Sequence, residues 1–161
     1  YPELARALDV AVGERAPLPD VRAAVLALRA RKGMVLDPAD HDTWSAGSFF
    51  TNPIVESSVL DKLPPNAPNY PVEQAGFVKL SAAWLIDQAG FSKGYGLEGT
   101  GGFALADGRA SLSTKHTLAI TNRGEATAQD ILAIARSVRA GVQERFGIEL
   151  VNEPLLIGEV L

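Results

Sequence analysis

One serine, Ser48, stands in the stretch "AGSFFTNP" (residues 46–53), with Gly47 before it and Phe49 and Phe50 after it. A hydroxyl there is either the polar residue of a turn entering a buried strand or a group aimed at a substrate. Upstream, Arg29 and Lys32 lie one turn apart at a helix end. Cations suit the negative pole of the helix dipole there, and the same pair could hold a phosphate near Ser48. Tyr70, held between prolines in "PNYP", either packs on the core or stacks on a flat ligand. Glu153, beside Pro154, is by default a solvated turn carboxylate. The chain has 2 histidines, His41 and His116. Neither has a second ligand at metal spacing, so no metal site is expected.

Several elements must position these groups. Val21, Ala24, Val25 and Leu28 repeat at helical spacing after Pro19 and Asp20, with Gly33 as the stop. A loop with three aspartates runs from Gly33 to Gly47, and "SFFT" reads as a strand ended by Asn52-Pro53. "LPPNAPNYP", Leu63 to Pro71, contains four prolines and reads as an extended surface connection rather than regular structure. Leu80, Ala83, Trp84 and Ala89 suit a helix closed by Gly90, and a glycine-rich stretch follows to Gly108. "TLAIT" (117–121) reads as a buried strand. Thr127 and Asp130 resemble a capping pair that opens a long helix, with Ile131, Ala135, Val138, Val142 and Phe146 on one face. "IELV" and "LLIG" are strand candidates on either side of Glu153-Pro154. Strands and helices without βα alternation predict an α+β fold: a small, mainly antiparallel sheet covered by several helices.

Length and composition bound the function. A chain of 161 residues is the size of one domain, and 47% hydrophobic with 21% charged residues is ordinary for a globular protein. A net charge of -4 gives no electrostatic reason to expect nucleic acid or an anionic membrane surface. No apolar run approaches the ~20 residues that span a bilayer. The absence of cysteine and of a leader pattern makes a cytoplasmic setting the expectation. The first residue is Tyr1 and the single methionine is Met34, so a piece of a longer protein is expected.

Two motifs are set aside. "GYGLEG" (94–99) has the spacing of a dinucleotide-binding loop, but it follows a helix and leads into "TGGFAL", read as loop and strand. It therefore reads as a glycine-rich surface turn. Ser48 lacks the small-residue frame of a hydrolase nucleophile, and no histidine–acid partners stand in a recognisable frame, so a serine hydrolase is disfavoured.

Four segments in order, "AGSFFTNP", "APNYP", "KLSAAWLIDQAG" and "ERFGIELVNEPLLIG", resemble the C-terminal part of the UDP-N-acetylenolpyruvoylglucosamine reductases, the MurB family. The resemblance runs from "YPEL" at Tyr1 to the final "LLIG". It implies a flavoenzyme of peptidoglycan precursor synthesis in which NADPH reduces FAD. Hydride then passes to C3 of the enolpyruvyl group of UDP-N-acetylglucosamine enolpyruvate. The family's serine, here Ser48, is the general acid that protonates C2, and its catalytic glutamate falls on Glu153. Substrate contacts fall on Tyr1, Arg29, Lys32, Asn52 and Tyr70, and on His116, where relatives often carry glutamine.

Two departures accompany the resemblance. Relatives often continue the glutamate as "EVR", whereas this chain reads Glu153-Pro154-Leu155. The flavin-binding domains that precede this segment in the family are not in the chain, so it is expected to need them for flavin binding and turnover. The runner-up reading is a sugar-nucleotide binding module without redox chemistry.

Overall fold

The computed structural model describes all residues, Tyr1–Leu161. Two antiparallel three-stranded sheets and two of the four α-helices share one hydrophobic core. The fold is α+β, as the element pattern predicts, with two small sheets rather than one. No helix is long and apolar enough to cross a membrane.

The first sheet has the order β1-β6-β5, from β1 (Ser45–Ser48), β6 (Ala119–Asn122) and β5 (Ala110–Leu112). The second has the order β2-β4-β3, from β2 (Ile54–Glu56), β4 (Phe77–Leu80) and β3 (Asn69–Pro71). Helix α4 (Ala128–Phe146) buries Leu132, Ile134, Ala135, Val138 and Val142. Its start is fixed by a reciprocal capping box: Thr127 accepts from the Asp130 N–H, and the Asp130 carboxylate accepts from the Thr127 N–H. The Asp130 carboxyl is held well below its ordinary range, first by the Arg109 hydrogen bond and then by Thr127. Helix α3 (Ala82–Gln88) opens at Ser81, whose hydroxyl accepts from the Trp84 N–H.

Helices α1 (Pro2–Ala7) and α2 (Leu18–Arg31) bury no side chain. They pack against each other. The Val21, Ala24, Val25 and Leu28 face exists, but it stays half-buried instead of entering the core.

Several local expectations are corrected. "LPPNAPNYP" is not wholly irregular, because Asn69–Pro71 forms β3 along β4. Being an edge strand, β3 tolerates prolines that a central strand would not. Leu80 ends β4 and lies outside α3, because Ser81 caps the helix after it. The strand of "SFFT" stops at Ser48. Beyond it Phe50 makes a lone bridge to Asn152. "IELV" keeps a strand-like alternation, with Ile148 and Leu150 buried, but forms no strand, and the bridge falls one residue beyond it at Asn152. In "LLIG", Leu155 and Ile157 are exposed and unpaired. The 94–99 segment is a turn, yet it is not superficial: Gly94 and Gly96 are buried, and a Cβ on Gly96 would lie 2.7 Å from the Ala110 carbonyl oxygen.

Candidate functional site

Ser48 owes its setting to one extra residue. Ser45 pairs with Thr121 and Ser48 with Ala119, so three steps along β1 match two along β6. The bulge carries Gly47 at φ +89°, a backbone state that L side chains resist. A Cβ on Gly47 would meet nothing within 4 Å, so glycine is required by its torsion and not by a close approach. A bulge shifts the phase of the side chains beyond it, which separates Ser48 from the buried Phe49 and Phe50. The two rings meet edge to face at 5.1 Å and anchor the strand end. The Ser48 backbone is thus fixed by its sheet and by the phenylalanines, and no protein atom takes a hydrogen bond from its hydroxyl.

Ser48 lines a cavity of about 530 Å³. Its lining includes Tyr1, Arg29, Lys32, Met34, Ser48 and His116, drawn from α1, α2, β1 and the turn before β6. Residues separated by more than a hundred positions therefore share one recess. The Lys32 ammonium lies 2.9 Å from Glu3, which also lines it. Glu3 is held below the usual carboxylate range by that hydrogen bond and by the Lys32 charge. His116 Nδ1 accepts from the Leu118 N–H at 3.1 Å, so a neutral imidazole carries its proton on Nε2 as a donor. Burial, with the charges of Lys32 and Lys93, pushes His116 below the ordinary imidazole value. A recess with two cations, a neutral donor and an apolar side from Val25, Leu28 and Met34 suits a multiply charged anion with an organic body.

Three expected site residues lie outside the lining. The Asn52 carbonyl oxygen accepts from the Ala82 N–H at 2.9 Å, which ties it to the start of α3 and leaves its amide group as a donor. Tyr70 lies on β3, half exposed at 49%. Glu153 has an exposed side chain, but its backbone N–H donates to Phe49 O at 2.9 Å, beside the serine strand. Leu155 is 92% exposed.

Sequence reading missed the support beneath the site. Asp42, buried in the loop before β1, accepts from the Thr114 N–H at 2.8 Å and from Arg123 Nη2 at 2.8 Å, and it also bonds the Thr114 hydroxyl. Its backbone oxygen covers Gly33, where a Cβ would come within 2.7 Å. One loop residue thus joins the end of α2, the turn bearing His116 and the end of β6. It also missed Glu3, whose partner lies 29 positions away with no periodic signal to link them.

At Gly96 the 94–99 turn packs against the Ala110 carbonyl of β5, so its backbone there is not open to a diphosphate.

The bulged serine strand, the cationic recess and the flanking sheets belong to one α+β domain. A family model for the C-terminal domain of UDP-N-acetylenolpyruvoylglucosamine reductase matches residues 37–157. UDP-N-acetylenolpyruvoylglucosamine reductases of Streptomyces coelicolor and Thermobifida fusca are each 56% identical over the whole chain, and that of Mycolicibacterium gilvum is 57% identical over 98% of it. The chain belongs to this family. It spans somewhat under half of these relatives, covering 42%, 45% and 44% of their respective lengths.

Proposed function

We propose that this chain is the substrate-binding part of a longer reductase that converts UDP-N-acetylglucosamine enolpyruvate to UDP-N-acetylmuramate with NADPH, in peptidoglycan precursor synthesis. Flavin-binding domains would precede it in the complete protein. The observation that carries the reading is the shared recess, in which Ser48 lies with Arg29, Lys32, Tyr1 and His116.

In this reaction a reduced flavin, held by other parts of the protein, supplies hydride to C3 of the enolpyruvyl group. Negative charge then develops at C2 and on the adjacent carboxylate. Ser48 donates its hydroxyl proton to C2, and the resulting alkoxide is reprotonated from water. A serine is a weak acid in water, but contact with a strongly basic carbon in a shielded site makes the transfer feasible. Arg29 and Lys32 neutralise the diphosphate or the carboxylate. His116 donates from Nε2, and Tyr1 closes over the ligand. Asn52 and Tyr70 contact the more distant part of the substrate. Glu153 acts on the enolate side once the complete site is assembled, next to the backbone of Phe49.

The test is NADPH consumption by the full-length protein on adding UDP-N-acetylglucosamine enolpyruvate, together with amide shifts of this chain in the same titration. Substrate-dependent NADPH loss with shifts around Ser48 and Lys32 is expected. Shifts without NADPH loss would leave a sugar-nucleotide binding module, and neither response would overturn the reading.

A further inference from the structure

Glu3 has no part in the chemistry proposed above, yet its carboxylate sits in the recess that an anionic ligand would enter. It bonds the Lys32 ammonium at 2.9 Å, and both side chains are about half exposed, at 54% and 47%. Arg29, one turn earlier on the same helix, forms no ion pair. The two recess cations are therefore unequal: one is free and one is occupied. Glu3 stands on α1, a helix with no buried residue, so little packing opposes its withdrawal.

We propose that Glu3 is an internal competitor for Lys32, a carboxylate that a phosphate-bearing ligand must displace. The proposal rests on reading the recess as the sugar-nucleotide site. An exposed ion pair of this kind is weak, so it holds Lys32 only part of the time. Affinity for a ligand that needs the free ammonium is then reduced by the fraction of molecules in which Lys32 is free. A diphosphate, with more charge and more acceptor oxygens than one carboxylate, outcompetes Glu3.

The experiment is calorimetric titration of the full-length protein with UDP-N-acetylglucosamine as the probe, at two salt concentrations. Four proteins are compared: the parent, Glu3→Gln, Lys32→Ala and the double variant. Glu3→Gln is expected to tighten binding by about two- to sixfold with a steeper salt dependence. Lys32→Ala is expected to weaken binding, and adding Glu3→Gln to it should restore little. Unchanged or weaker binding by Glu3→Gln, with Lys32→Ala still impaired, overturns the competitor and leaves the recess reading intact. An equal gain from Glu3→Gln with and without Lys32 also overturns it, because the carboxylate would then act by general repulsion. If Lys32→Ala binds as the parent does, the recess reading itself fails and takes the competitor with it.

Discussion

Arg123 Nη2 donates to Asp42 Oδ1 at 2.8 Å across 81 positions of sequence, with side chains only 15% and 6% exposed. Burial opposes the Asp42 charge, but bonds from Thr114 and the Arg123 charge outweigh it and hold the carboxyl below its ordinary range. Removing one member of such a pair strands the other. Arg123→Ala should lower stability by about 3 kcal/mol, read as a shifted denaturation midpoint. Because Asp42 is depressed in the folded state, its stabilisation is complete above the ordinary carboxylate value of about 4 and is lost as pH falls through the lower folded value. Asp42→Asn should therefore flatten the acid limb of a stability–pH curve.

Ser48→Ala removes a hydroxyl that no protein group accepts from, so stability should move by no more than about 0.5 kcal/mol. In the complete reductase the change should leave flavin reduction by NADPH intact and suppress reoxidation by substrate, as followed by flavin absorbance in stopped flow. Equal loss of both half-reactions would point to a folding defect and remove the proton-donor role.

Gly47→Ala tests the bulge. With no neighbour to clash with, its cost is torsional, about 1–2 kcal/mol at φ +89°. If the bulge relaxes to a regular pairing, Ser48 turns with it, and substrate-driven reoxidation should fall more than flavin reduction. Gly147→Ala is the control: φ is +68°, again with open space, but the residue ends α4 far along the chain from the recess. It should lose similar stability and leave reoxidation untouched.

His116→Gln keeps a side-chain hydrogen-bond donor at this position. Burial and the Lys32 and Lys93 charges keep the imidazole neutral below its ordinary value near 6.5. On acidification the unfolded chain takes up that proton first, so stability declines as pH drops below about 6.5. The glutamine variant should lose this slope in denaturation measured between pH 5 and 7, while retaining substrate binding.

Much of the fold was legible because local chemistry agreed with tertiary need. The Thr127–Asp130 capping box and the apolar stripe of α4 appear where short-range pattern expects them, and the "TLAIT" strand does so from Ala119 onward, after a turn at Thr117-Leu118. Errors gathered where pairing, not pattern, decides. Asn69–Pro71 is proline-flanked yet joins an edge, and "IELV" alternates correctly yet forms no strand, the one bridge falling at Asn152. The family motifs drew attention to Ser48, Lys32 and Arg29, which the folded chain brings into one recess with Tyr1 and His116. Asp42, Arg123 and Glu3 left no trace, because their partners are set by long-range packing and carry no spacing rule.

The absence of buried side chains on α1 and α2 divides the recess into two units of unequal persistence. Ser48 belongs to a sheet sealed by the core, whereas Arg29 and Lys32 ride on a helical hairpin held by its own contacts and by the Gly33–Asp42 junction. Local opening free energies track such differences, so amides of α2 should exchange with deuterium long before those of β6. A ligand bridging the two units would spend part of its binding free energy on tightening the hairpin. Its footprint in hydrogen exchange would then extend along α2 well past the residues it touches.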